Sequence, residues 1–221
     1  MRVVQPEGSR GSLKWIQRAV NQRSEIFYQL IAARLPGIRS IRWVSPLESD
    51  QYAEYRDEDF LERIGCSTLN DELKLFWPAR GPQWDALALT DRGEVLLIEA
   101  KAHVSELISQ GTQAEGKSLS LIEHSLAATI TALRAQPKIS WTGPFYQFAN
   151  RLAHLHFLSR QGVAAHLILV CFVGDSDMNG CESDAEWEGA LQICNELMGL
   201  PQKHSLADRI THVFPRVDQI R

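Results

Sequence analysis

The sequence predicts a mixed α/β fold in which one central sheet is flanked by helices. Three observations carry that expectation. Two short apolar stretches, 94–102 and 164–173, are rich in Val, Leu and Ile, the composition of strands covered on both faces. Segments of helical periodicity surround them. A chain of 221 residues, 44% of them hydrophobic, is long enough for one domain with a substantial core.

The elements follow in order. Residues 1–11 are polar and expected to be loose. Residues 12–35 read as one amphipathic helix, with Leu13, Ile16, Val20, Phe27 and Ile31 on a single face and Ser12 as a cap. Pro36-Gly37 ends it. Residues 38–44 read as a strand, 50–64 as an acidic and aromatic helix, and 73–77 as a short strand before Pro78. Residues 85–90 and 94–102 then pair as a β-hairpin around the turn Asp91-Arg92-Gly93. Two helices follow near 118–135 and 144–161, divided by Pro137 and Gly143-Pro144. A buried strand at 164–173, a helix at 183–199 and a short strand at 210–214 complete the chain, which is read as a single domain over 1–221 with no repeat and no linker.

Composition excludes some functions. No apolar run is of bilayer-spanning length, and the N-terminus lacks a signal-peptide core, so a soluble, cytoplasmic protein with no membrane partner is expected. The four cysteines form no CxxC pair and suit reduced, buried residues. A net charge of -4 argues against a broad, non-specific grip on nucleic acid, although an acidic site would itself lower the net charge around a local basic groove.

The chemistry concentrates in Gly81-Pro82-Gln83-Trp84-Asp85 and Glu94-Val95-Leu96-Leu97-Ile98-Glu99-Ala100-Lys101. An acid opens one strand of the hairpin; an acid and a lysine lie two residues apart in the other. Side chains alternate along a strand, so Glu99 and Lys101 share a face. Charges in so apolar a strand are costly unless they are paired or bind something. Two carboxylates suit Mg²⁺ or Mn²⁺, which take hard oxygen ligands. Such a cation lowers the pKa of a bound water and offsets charge at a phosphoryl transition state. Lys101, flanked by acids, stays protonated and is assigned to stabilising that state or orienting the water. His103 is placed beside it as a supporting residue. The alternative is a plain salt bridge between Glu99 and Lys101, with Asp85 as a turn residue.

Pro82-Gln83-Trp84-Asp85 with Glu99-Ala100-Lys101 resembles the signature of the PD-(D/E)XK nuclease superfamily, and the resemblance runs from the first helix to about residue 173. It implies a restriction-endonuclease-like α-β-β-β-α-β core, metal-dependent hydrolysis of phosphodiester bonds, Asp85 and Glu99 as metal ligands, and Lys101 as a catalytic group. It implies nucleic acid as the partner, DNA ahead of RNA, with a homodimer allowed. A further acid from before the hairpin is common in that family; Glu25, Glu54 and Asp57 are the candidates here. A glutamine on the following helix is also common, and Gln147 resembles it. Gln147, Asn150, Arg151 and His154 fall on one polar side of that helix, so Gln147 and Arg151 are candidate nucleic-acid contacts; a solvated helix face is the competing reading.

Other features weigh less. Gly111-Thr112-Gln113-Ala114-Glu115-Gly116-Lys117-Ser118 matches the P-loop pattern. The segment before it is too polar for the buried strand such a loop must leave, so a polar loop ahead of a helix is expected, with P-loop nucleotide hydrolysis as a minor alternative. A non-catalytic nucleic-acid-binding or assembly module, keeping the fold with a vestigial site, is the other alternative. Arg10, Lys14 and Arg18 form a basic stripe that could follow a nucleic-acid backbone, although a solvated face suits them better. Trp77, Trp84 and Trp141 are expected in the core rather than stacked on bases.

Overall fold

The computed structural model describes all 221 residues. In chain order the elements are β1 (Arg2–Val3), α1 (Gly11–Asn21), α2 (Ser24–Ala32), β2 (Ile41–Ser45), β3 (Glu54–Tyr55), α3 (Asp57–Arg63), α4 (Asn70–Phe76), β4 (Ala86–Thr90), β5 (Val95–Lys101), α5 (Gly116–Leu133), α6 (Tyr146–Arg160), β6 (Ala165–Cys171), α7 (Asp184–Met198), β7 (Ile210–Val213) and α8 (Val217–Ile220).

The apolar run 95–101 becomes the middle strand of a five-stranded mixed sheet ordered β2-β4-β5-β6-β7, and every one of its residues is buried. β2, β4 and β5 are antiparallel neighbours, while β5, β6 and β7 run parallel. The hairpin pairs Ala86 with Ile98 and Leu89 with Val95. Thr90 Oγ1 accepts hydrogen bonds from the backbone N–H groups of Arg92 and Glu94, and Gly93 takes the positive φ (77°) that the turn requires.

Alternation divides the core. Leu96, Ile98 and Ala100 join the Trp15, Ile16, Phe27 and Ile31 side chains of α1 and α2. Val95 and Leu97 join a larger cluster that includes Leu126 of α5, Leu152 of α6 and Trp187 of α7. The next two positions on this second face are Glu99 and Lys101, so the candidate site lies under α6 at the C-terminal end of β5.

The expected helix at 12–35 is two helices. Asn21 ends the first: its side-chain amide donates to the carbonyls of Gln17 and Pro46, and its Oδ1 accepts from Glu48 N–H. Such side-chain bonding to the backbone favours helix ends, and Arg23 leaves the helical region (φ -131°, ψ 32°) before α2 restarts. The expected strand at 73–77 is the end of α4, whose first turn carries Asp71 and Glu72, favourably placed at a helix N-terminus. Trp77 is extended, the conformation favoured by a residue that precedes proline. The expected helix at 50–64 is divided into the two-residue strand β3 and the short helix α3. Residues 1–11 are not loose throughout: Arg2 pairs with Tyr55 and Val3 with Glu54.

α7 begins on Ser183, whose side chain accepts from Glu186 N–H, an arrangement that satisfies an otherwise unpaired helix N–H. It ends on Gly199 (φ +69°), packed so closely that a Cβ there would lie 1.9 Å from the carbonyl oxygen of Gln136. No helix is long and apolar enough to cross a membrane. All four cysteines are free, and three of them, Cys171, Cys181 and Cys194, are buried.

Candidate active site

Asp85 precedes β4 and Glu99 sits near the end of β5, so hairpin pairing brings them together: Asp85 Oδ2 accepts the Ala100 N–H at 2.7 Å. Lys101 donates to Glu99 Oε1 at 2.6 Å and to Gln147 Oε1 at 2.9 Å. The i, i+4 spacing then aims Arg151 at the same place as Gln147. Arg151 Nε donates to Glu99 Oε2 at 2.5 Å, its second nitrogen to the Gln83 carbonyl at 2.7 Å, and its third to Asn150 Oδ1 at 3.0 Å. Its guanidinium lies 4.8 Å from the centre of the Trp84 ring. All three sequence candidates for catalysis therefore converge, together with Gln147 and Arg151.

The polar side of α6 is not a surface. Arg151 is 3% exposed, Asn150 7% and His154 2%. The solvated-face reading is thereby corrected, and so is Arg151 as a nucleic-acid contact: its donors are spent inside the protein on Glu99, Gln83 and Asn150. A buried polar helix face persists because the carboxylates beneath it need cationic and N–H partners.

Of the three candidates for a further acid, Glu54 is the one that lies beside the cluster. Tyr55 forms an isolated antiparallel bridge with Trp84, which sets Glu54 beside Asp85. Glu54 Oε2 accepts from the Gln83 side-chain amide at 2.5 Å and from Gln5 at 3.2 Å. Glu25 instead lies exposed on α2, bonded to Gln29. Asp57 caps the loop by accepting from the Arg80 and Gly81 N–H groups. Gln83 was missed in sequence because its role depends on both ends of one residue: the side chain serves Glu54 and the carbonyl serves Arg151.

The electrostatics of the cluster follow from three carboxylates sharing two cations. Burial, reinforced by Asp85, pushes Glu54 up to about 8. Burial and the neighbouring Glu99 push Asp85 up to about 7, against the pull of Lys101 and Arg151. Burial also opposes ionisation of Glu99, but Arg151 and Lys101 outweigh it and hold that carboxylate below its ordinary value. Lys101 is pulled down by burial and up by Glu99 and Asp85; the acids win, and it remains an ammonium. Burial and mutual repulsion thus favour protons on Glu54 and Asp85, protons that a metal cation could replace.

Hard oxygen donors of this kind suit Mg²⁺ or Mn²⁺, and the raised Glu54 and Asp85 fit the approach of a cation. No group of three or more His, Cys, Asp or Glu residues is arranged to hold a metal ion, and both oxygens of Glu99 are engaged by Lys101 and Arg151. A cavity of about 20 Å³ touches Glu99, Lys101 and Gln147, room for one water.

His103 turns away to Glu106 (3.5 Å), whose other oxygen takes the Ala102 N–H. It is not a supporting residue of the site. Trp77, Trp84 and Trp141 are 3%, 0% and 3% exposed, in the core as expected. Arg10 precedes the first turn of α1, and Lys14 and Arg18 lie near Trp15. Gly111 follows a 3-10 turn and coil, with no strand entering the loop, so the context a P-loop needs is missing. No family model, curated protein or solved structure matches this chain. The chemistry of the site therefore rests on its own geometry.

Proposed function

We propose that this protein is a metal-dependent phosphodiesterase acting on nucleic acid, DNA ahead of RNA, with a restriction-endonuclease-like core. One observation carries the reading: a glutamate and a lysine in a fully buried strand are held 2.6 Å apart, facing a second acid brought in by the hairpin. Within the sheet, three antiparallel strands are followed across α5 and α6 by a parallel one, which supports the reading although β3, α3 and α4 intervene between β2 and β4; Gln147 on α6 supports it too.

Asp85 and Glu99, with Glu54 beside them, are the residues that would hold Mg²⁺ or Mn²⁺. The cation supplies an acidified water and charge neutralisation at the phosphoryl group. Lys101 is the protein's own contribution to the chemistry. Its ammonium, kept charged by Glu99 and Asp85, stabilises the developing phosphoryl charge, and Gln147 fixes its direction. Gln83 and Trp84 hold Arg151 against Glu99, keeping that carboxylate ionised while competing with a metal for its Oε2.

A second reading, a non-catalytic nucleic-acid-binding or assembly module, is favoured by one specific observation. The Lys101–Glu99–Arg151 network is complete without a metal. The deciding experiment is cleavage of single-stranded and duplex DNA and RNA, linear and circular, in Mn²⁺ or Mg²⁺ against EDTA, comparing wild type with Lys101→Ala. Metal-dependent cutting by wild type alone is expected. Absence of cutting together with absence of Mn²⁺ binding that depends on Asp85 and Glu99 would overturn the enzyme reading in favour of the module.

A further inference from the structure

A second concave site lies beside α3, α4 and the Trp77–Ala79 segment. It is a cavity of about 340 Å³ whose walls include Asp57, Glu58, Asn70, Lys74, Trp77 and His154. Two of its polar atoms lack partners. Asn70 Oδ1 is buried with no hydrogen bond. His154 is 2% exposed, and its single hydrogen bond runs from Nδ1 to the Asn150 carbonyl at 2.9 Å. A carbonyl can only accept, so Nδ1 carries the proton and Nε2 presents a bare lone pair. Nε2 lies close to two other wall residues, since a Cβ built on Gly81 would be 3.5 Å from Nε2, 3.2 Å from Asp57 Oδ1 and 3.3 Å from the Trp77 ring. Burial holds the imidazole neutral, lowering its pKa to about 3, so it remains an acceptor throughout the physiological range.

The charges point the same way. Two cations also line the cavity, and both are paired: Lys74 with Glu58 and the Met1 ammonium with Asp59 at 3.4 Å. Asp57 accepts only backbone N–H groups and has no ionic partner. The walls therefore present an unneutralised carboxylate, an amide oxygen and an imidazole nitrogen, all acceptors, beside an indole. An anion would meet no free cation here. An apolar ligand would leave Asn70 Oδ1 and His154 Nε2 without donors, which is unfavourable.

We propose that this cavity binds an organic cation carrying N–H donors, a guanidinium or a primary ammonium, whose hydrogens reach Asp57, Asn70 Oδ1 and His154 Nε2 while its body lies against Trp77. Aromatic faces attract such cations. The inference is independent of phosphodiester hydrolysis: it uses different residues and needs no metal.

Calorimetric titration of the full chain with agmatine, in EDTA, tests it. One saturable site is expected, with affinity falling as salt rises. Asn70→Asp adds a charge facing the ligand and strengthens binding about tenfold, and Asn70→Leu weakens it about tenfold, the change expected for one charge-assisted hydrogen bond. Gly81→Ala, which places a methyl among the three groups, also weakens it. Thermal melts confirm that each variant is folded, and the salt dependence of wild type needs no variant at all. Competition by a short arginine peptide assigns the natural ligand to a protein side chain; agmatine binding without such competition assigns it to a free amine. Either result upholds the site. Absence of saturable binding, equal affinity in both Asn70 variants, or neutral adenosine binding as tightly as agmatine would overturn it.

Discussion

The burial of Glu54 beside Asp85 makes stability depend on pH in a direction opposite to that of an ordinary salt-bridged acid. Glu54 is pushed up to about 8 in the folded chain, first by burial and then by Asp85. In an unfolded chain a glutamate titrates near about 4.3. Between those values the folded protein keeps a proton that the unfolded chain has released. The stabilisation is complete below the unfolded value and is lost as pH rises through about 8. One proton corresponds to a slope of about 1.4 kcal/mol per pH unit. For a domain of this length that converts to about 3–5 °C in Tm per pH unit. His154, His156, His166, His204 and His212 are lowered by burial from 6.5 and act in the opposite sense below that pH. The informative window is therefore pH 6.5 to about 8. Thermal melts in EDTA should show wild type losing stability across it more steeply than Glu54→Gln, by about 3–5 °C per unit. Saturating Mn²⁺ should narrow the gap, because a bound cation replaces the proton. Parallel curves for the two proteins would mean that Glu54 is already ionised when folded, and the argument from burial and Asp85 would fail.

Three further outcomes are expected. Asp85→Asn, Glu99→Gln and Lys101→Ala should each lower cleavage at least about 10²-fold while far-UV dichroism is retained; full activity in all three would remove the assignment. Arg151→Met breaks a buried ion pair and should cost about 3–5 kcal/mol, appearing in stopped-flow experiments chiefly as faster unfolding, with tighter Mn²⁺ binding once the guanidinium no longer competes; unchanged unfolding and unchanged Mn²⁺ affinity would contradict this. Gly199→Ala should lower Tm measurably, since its Cβ would collide with the Gln136 carbonyl at a positive φ; an unshifted melt would contradict that packing.

The hairpin was legible because every cue for it is local: the apolar run in 94–102, the Asp91-Arg92-Gly93 turn and the proline before Asp85. Asp85, Glu99 and Lys101 could be read from that hairpin alone. The i, i+4 relation of Gln147 and Arg151 was legible too, but not the burial of their helix face. Polar residues on a helix ordinarily mean solvent, and here they mean the charges beneath. Glu54 could only be left as one of three candidates. Its strand is two residues long and is defined by pairing with Val3 on one side and by the Tyr55–Trp84 bridge on the other, contacts that leave no periodic trace. The break in 12–35 was hidden for a similar reason: it depends on Asn21 bonding Pro46 and Glu48, far along the chain.

The two cations that hold Glu99 reach it across very different lengths of chain. Lys101 is its neighbour but one, whereas Arg151 returns from 52 residues away. Closing the longer loop costs more entropy, so the hairpin and its lysine form the early partnership and the arginine arrives with the docking of α6. Until then the second oxygen of Glu99 can remain hydrated, and dehydration coincides with delivery of the guanidinium. The order in which the chain closes spares it a state in which that carboxylate is dry and only half paired.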